Sequence, residues 1–415
     1  MSLVSALFTG VSGLRTNSQA MNILGDNISN VNTVGFKNSR PVFGDLFSTI
    51  LSNGATTSQL GRGTQFLGSI QSFTQGSFES SSNALDLAVD GSGFFIVNDG
   101  QGNFFTRNGQ FRLNDNGQVQ LVSGETLQGF RITNGVTNSA LENIDLAGVQ
   151  SAPQASTQFT LGVNLNGASS AGATFTSPIS LVTSSGAQVV MSLTFTKQTT
   201  GNNWNFQASL PAGQGAISSG ATGSLSFGTN GQLTGVNGGA LANLSLALDF
   251  STANPPAAAQ TLTWNLLNAA GTGTNGKVTG FAAASNNNSI VADGFQTGTL
   301  VSLGVDQEGI INGLFNNGQS ESLFQLGLAD FLAPSGLTRS GNNLFAESGQ
   351  SGQPIIATAN TGGFGSILGQ TLELSNVDLA AEFVSLITTQ QAFQASARVI
   401  TTTDDLLTET VNLTR

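Results

Sequence analysis

Cysteine, histidine and tyrosine are all absent from the chain. Without Cys there can be no disulfide, no thiolate nucleophile and no Cys-ligated zinc; without His the usual general base and the commonest metal ligand are missing. Most familiar active sites cannot be assembled from what remains, and no cofactor is expected. Charge is scarce as well, at 8% of residues against about 25% in ordinary soluble proteins. Twelve Lys and Arg stand against 23 Asp and Glu, a formal net charge of -11 that repels phosphate backbones and anionic lipid alike. Nucleic acid is therefore not an expected partner. No run of 18 apolar residues occurs, so no membrane-inserted helix is expected. Residues 1–15 carry no basic leader and no small-residue cleavage site after an apolar stretch, which predicts no cleavable signal peptide and, for a secreted chain, another export route.

What the chain has is apolar mass and flexible backbone. Hydrophobic residues make up 39% of 415 positions, with 28 Phe, enough for two or three domains with cores of their own. Fifty-three Gly, with Asn, Ser, Thr and Gln at most polar positions, imply an amide- and hydroxyl-rich surface.

The two ends read as helices. Leu7, Leu14, Met21 and Ile28 recur every seven residues, with Val4 and Val11 beside them, a single apolar stripe on a helix of about 40 Å. At the other end Leu379, Leu386, Phe393, Ile400 and Leu407 form a longer series, interleaved with Phe383, Gln390, Ala397, Asp404 and Val411. Ser375 with Asp378 three positions on suggests a capping box and a helix start near Asn376. Gln390 and Asp404 on the seam, and Gly13 and Gly25 in the first helix, weaken a private pair, which predicts helices that order fully only with neighbours. Periodicity alone also fits an antiparallel helix pair inside one monomer.

Between the ends the period falls to two. Met191, Leu193 and Phe195 alternate with polar residues, as do Trp204, Phe206 and Ala208 after a Gly-Asn turn, so a hairpin is predicted there. Leu244, Leu246 and Leu248, and Leu262, Trp264 and Leu266, mark further strands, while Asn-Gly pairs at Asn108, Asn116, Asn166, Asn230 and Asn312 mark turns. Residues 151–293 hold both Trp and only Lys197, Asp249, Lys277 and Asp293 as charges, the composition of an inserted domain. The expected fold is α+β: terminal helices over residues 1–30 and 375–415 packed as a coiled-coil-like pair, a connector over 31–71, a discontinuous inner β domain over 72–150 and 294–374, and an inserted outer β domain over 151–293.

Two patterns could suggest chemistry. Gly271, Gly273 and Gly276 match G-x-G-x-x-G with Asp293 downstream, but no helical pattern follows, so a glycine-rich hairpin loop is the better reading than a dinucleotide site. Asp86 with Asp90, and Asp404 with Asp405, are carboxylate pairs without a cleft, so neither is read as a glycosidase centre. No catalytic or metal-ligating residue is assigned.

The termini carry a resemblance. Gly10, Val11, Ser12, Gly13 and Leu14, then Asn27, Ile28, Ser29, Asn30, Val31, Asn32, Thr33, Val34, Gly35, Phe36 and Lys37, resemble the N-terminal signature of the flagellar rod and hook family. Ser375, Asn376, Val377, Asp378 and Leu379, continuing through Gln391, Phe393, Gln394, Ala395, Ala397 and Arg398 to Asn412 and Leu413, resemble its C-terminal signature. Residues 85–95, 106–111 and 127–130 are similar to the family's first β domain, and the resemblance spans about half the chain. Where the family often has Tyr, this chain has Phe, as at Phe105 and Phe393.

The resemblance implies a non-enzymatic subunit that polymerises through both terminal helices into a curved, flexible tube. Such a tube transmits torque and encloses a channel for later exported proteins, at an extracellular site on the bacterial flagellum. It implies partnership with further copies of the chain, the distal rod, the hook cap, the hook–filament junction proteins and the export apparatus. The polar positions Thr388, Gln391, Gln394 and Thr402 would suit the lining of such a channel. Distal rod members are shorter and lack a large insertion, so residues 151–293 favour a hook member, with a distal rod protein or a secreted β-rich adhesin or surface-layer protein as alternatives.

Overall fold

The computed structural model describes residues 3–46, 49–53 and 56–413. Residues 1–2 and 414–415 of the expected helical ends, and 47–48 and 54–55 of the expected connector, lie outside the described residues. The architecture is α+β, with long helices at the two chain ends and mostly antiparallel sheets between them. By its internal contacts the chain divides into two units: Met1–Gly148, Ser302–Gly313 and Glu321–Arg415 form one, Val149–Val301 and Leu314–Ser320 the other.

In the first unit, helix α1 runs Leu3–Ser29 and ends where the Asn30 amide bonds back to the carbonyls of Asp26 and Asn27 at 3.1 and 3.2 Å. A hairpin of Ser39–Asp45 against Thr64–Gln71 follows, antiparallel with a bulge between Val42 and Phe43. The Thr64 amide donates to Ser12 Oγ at 3.2 Å, tying the hairpin to α1.

The unit's β core gathers around the strand Phe94–Asn98, whose Phe95 pairs with Leu328 and whose Val97 pairs with Leu127. Phe94, Ile96, Phe105, Phe331 and Phe345 are buried together. Their rings meet edge to face, Phe105 on Phe331 at 4.8 Å and Phe73 on both Phe94 and Phe345 at 5.4 Å. Each buried ring contributes roughly 2 kcal/mol of transfer free energy, and the edge-to-face geometry adds to it. Aromatic packing here needs no hydroxyl, consistent with a chain that has Phe and no Tyr.

Helix α2 spans Leu379–Leu413, about 52 Å at the α-helical rise. Its start corrects the sequence expectation of Asn376. Asp378 is the N-cap, its Oδ1 accepting the amides of Ala380 and Ala381 at 2.9 and 3.2 Å, while Ser375 Oγ accepts the Val377 amide in a separate turn.

The second unit packs two sheets on one core. Gln188–Lys197 and Asn203–Ser209 form the predicted hairpin, with Leu193 opposite Ala208 and Phe195 opposite Phe206. The alternate residues Met191, Leu193, Phe195, Trp204 and Phe206 are buried. In the other sheet Leu246 pairs with Leu262 and Leu244 with Trp264. Trp264 stacks on Phe159 at 5.7 Å and meets Phe206 edge-on at 5.6 Å, so residues of both sheets share the core. One departure from the antiparallel expectation is local: Gln158–Asn164 pairs in parallel with Gln260–Trp264 and Val278–Thr279. The Gly271–Gly276 stretch is a loop closed by a bridge between Leu267 and Thr274, and Asp293 accepts the Thr157 and Gln158 amides.

Candidate functional site

The two helices pack along each other in opposite directions. They approach closely at small residues: a methyl at Gly10 would lie 3.0 Å from Ile400 Cγ1, and one at Gly13 would lie 2.8 Å from Ser396 Oγ. Glycine and serine let the axes draw nearer than bulky side chains would. Along α1 the deepest side chains are Thr16, Ala20, Leu24 and Asn27, spaced as neighbours on one helical face. The sequence-assigned stripe of Leu7, Val11, Leu14, Met21 and Ile28 is only half-buried.

On α2, Leu386, Phe393, Ile400 and Leu407 are half-buried, one row seven residues apart, and Thr403 is buried beside them. The interleaved row differs: Phe383, Gln390, Asp404 and Val411 are exposed and Ala397 half-buried, and Leu379 at the head of the first row is exposed as well. Val384, Ile387, Val399 and Leu406 are exposed too, with Phe383 at 49% and Ile387 at 55% of full accessibility. Thr388, Gln391, Gln394 and Thr402 share that solvent-facing side. So α2 buries one apolar row and leaves a second apolar surface in water.

The asparagine-rich motif after α1 forms a joint. Asn27 is fully buried; its amide nitrogen donates to the Ser39 carbonyl at 2.7 Å and to Glu382 Oε1 on α2 at 3.1 Å, and its oxygen accepts the Ser39 amide at 2.9 Å. Burial pushes the Glu382 carboxyl above its usual range, the Asn27 hydrogen bond opposes this and Asp378 adds to it. Asn376 answers from the other side, accepting the Asn38 amide at 2.8 Å and donating to the carbonyls of Ser72 and Thr74. Asn30 caps locally onto Asp26, Val377 is buried and Asn32 is exposed. Phe36 is buried under the Arg339 guanidinium, 5.0 Å from the ring centre.

Gly35 has φ +69°, and a Cβ there would lie 2.5 Å from the Arg107 carbonyl carbon, so both conformation and space require glycine. Next to it lies a charge cluster that sequence reasoning missed. Glu373, fully buried, takes Lys37 Nζ at 2.6 Å and the Gly76 amide at 2.9 Å on one oxygen, and Arg107 Nη1 at 3.3 Å on the other. Lys37 also reaches the Thr74 carbonyl, and Arg107 the carbonyls of Val89 and Gly91. Burial pushes the Lys37 ammonium and the Arg107 guanidinium below their ordinary ranges, against the pull of Glu373 on both. Lys37 closes the N-terminal motif, and Glu373 lies six residues before the α2 start. The one available signal was a lysine inside a signature in a chain so poor in charge.

Chemically, this arrangement holds chain segments and presents apolar surface. Among the described residues no group of three or more metal-ligating side chains converges.

Four protein-family models match the chain. The one described as flagella basal body rod protein matches residues 7–37, and the flagellar hook protein FlgE/F/G D1 domain matches 88–164. The flagellar basal body protein FlaE D2 domain matches 183–295, and the flagellar basal body rod FlgEFG protein C-terminal model matches 368–413. The flagellar hook protein FlgE of Borreliella burgdorferi is 34% identical over 446 residues, covering 99% of this chain and 100% of that relative. The FlgE hook proteins of Treponema pallidum and Escherichia coli are 32% and 31% identical, covering 100% and 98% of this chain and 100% of each relative.

Proposed function

The chain belongs to the flagellar hook protein family and is a structural subunit of the hook, and from that premise we propose that its terminal helices drive its own assembly into a curved, flexible tube. In that tube α1 and α2 form a coiled-coil-like inner layer, the discontinuous inner β domain surrounds it, and the domain inserted at residues 151–293 lies outermost. The tube transmits torque, encloses an export channel and catalyses nothing. It lies outside the cell. Its neighbours are further copies, the distal rod, the hook cap, the hook–filament junction proteins and the export apparatus. Whole-length similarity to hook proteins sets aside the distal-rod and adhesin alternatives.

One observation carries the assembly reading: after α2 has packed on α1, Phe383, Val384, Ile387, Val399 and Leu406 are still exposed. Apolar residues so dense on one long helix stay in water only until a neighbour covers them. The assembly residues are then Leu7, Val11, Leu14, Met21 and Ile28 on α1, with Leu379, Phe383, Leu386, Phe393, Ile400, Leu407 and Val411 on α2. Electron microscopy of the purified protein tests this reading. Short curved tubes are expected; a protein that stays monomeric as concentration and salt are raised would overturn it.

A further inference from the structure

A groove of about 980 Å³ runs between α1 and the hairpin that follows it. Its apolar lining includes Phe8, Val11, Leu46 and Phe66, and its charges are Arg15 and Arg62. Both arginines are exposed, and neither is in an ion pair among the described residues. Phe8 is 64% exposed although it lines the groove. The Thr64 amide bond to Ser12 Oγ fixes the hairpin wall, so the groove is built into the fold. An occupant must therefore be apolar on one side and acidic on another.

The chain itself contains such a segment. The last turns of α2 carry Asp404, Asp405 and Glu409 with no basic residue, around Leu406, which is 56% exposed. None of the three carboxylates is in an ion pair among the described residues. Within one copy these carboxylates lie away from the groove's Arg15. Gly10 faces Ile400 and Gly13 faces Ser396, so the antiparallel packing carries the acidic turns toward the start of α1. Asp405 and Glu409 end up roughly 15 and 21 Å along the axis from Arg15.

We propose that the groove receives the acidic C-terminal end of α2 from a second copy, with Leu406 against Phe8 and Phe66, and Asp405 and Glu409, one turn apart beside that face, toward Arg15 and Arg62. The inference rests on the assembly reading above and names the contact. Groove and helix end are different surfaces, so the contact is head-to-tail, the kind that continues into an open helical polymer.

The test uses the full-length protein and the critical concentration for tube formation. Arg15→Glu with Arg62→Glu should raise it roughly ten-fold or more, as should Asp405→Arg with Glu409→Arg. Circular dichroism should show both variants folded. Combining the four changes in one chain restores opposite charges across the contact and should return the critical concentration to near the wild-type value. If wild type forms tubes and either double variant does so at the wild-type concentration, the docking is wrong and the hook assembly reading stands. Failure of the four-fold variant to recover would likewise overturn the docking, and a wild type that forms no polymer overturns both.

Discussion

Lys37 Nζ lies 2.6 Å from Glu373 Oε1 across 336 residues of sequence, with both side chains fully buried. Glu373 also holds Arg107 of the β core, so one carboxylate ties the exit from α1, the β domain and the approach to α2. A buried ion cluster contributes little net stability, because desolvation offsets attraction, but removing one member leaves uncompensated charge. Its role here is to fix where the helices leave the β domain.

Glu373→Gln should therefore destabilise the first unit by about 3 kcal/mol, since it strands two buried cations. The chain supplies its own control. Both tryptophans, Trp204 and Trp264, are buried in the second unit, so fluorescence reports that unit while circular dichroism in urea follows the whole. A loss below about 1 kcal/mol, or an equal shift in the tryptophan signal, would contradict the assignment.

At Gly35 the backbone is left-handed and space is closed by the Arg107 main chain. Gly35→Ala should cost more than about 1 kcal/mol, and Gly35→Asn, which tolerates positive φ, should not recover it because the clash remains. Recovery by Asn in thermal melts would mean that conformation alone sets the requirement.

These two sites show where sequence reading stops. Leu386, Phe393 and Ile400 announce α2 because a seven-residue apolar repeat is a local signal. The alternation of Met191, Leu193 and Phe195 announces a strand for the same reason. Gly10 and Gly13 give no such signal: the face that meets α2 is made close by what those residues lack, and an apolar count scores them as gaps. Sequence pattern puts the start of α2 three residues early because Ser375 and Asp378 can both cap, and only the backbone path shows which one does. Glu373 with Lys37 and Arg107 was out of reach because no local pattern links residues so far apart.

The Glu382 carboxyl is raised above its ordinary 4.5 chiefly by burial, with Asn27 and Asp378 beside it, in a cleft that Arg40 also lines. Between 4.5 and the raised value the folded protein holds a proton that the unfolded chain has lost. Stability from this group is thus greatest below that window and falls as pH rises through it. Glu382→Gln keeps an amide oxygen for Asn27 and should flatten the difference between mildly acidic and neutral melting temperatures. Parallel pH profiles for wild type and variant would remove Glu382 as the source.

Two substitutions on α2 separate folding from assembly. Ile387 is 55% exposed, so Ile387→Asp should leave monomer stability within about 0.5 kcal/mol of wild type and still block tube formation. Ile400 packs on Gly10, so Ile400→Asp should loosen the helix pair as well, as a charge placed where it is desolvated costs several kcal/mol. Sedimentation and helical circular dichroism read the two effects. Normal tubes from Ile387→Asp would put that face outside every subunit contact.

The deletion of residues 152–297 asks what sets the bend. Ser151 pairs directly with Gly298, and Gln150 with Thr299, so a short Gly/Ser turn can join the cut ends about 5 Å apart without moving either strand. The apolar rows of α1 and α2, the Lys37–Glu373–Arg107 cluster and the Phe94 core all lie outside the deleted stretch, so tubes should still form. A curved tube needs rows of subunits of unequal length, and that inequality is most easily held where subunits lie farthest from the axis. In the proposed layout that is the inserted domain. Between residues 151 and 293 the charged residues are Lys197, Asp249, Lys277 and Asp293, so few directional ion pairs resist sliding. Contacts of hydrogen-bonded and apolar patches re-register at about 1 kcal/mol per hydrogen bond. Straight tubes are therefore expected from the deletion variant in electron microscopy. Normally curved tubes would assign the bend to the inner β domain, and loss of all assembly would show that the insertion helps to hold subunits together.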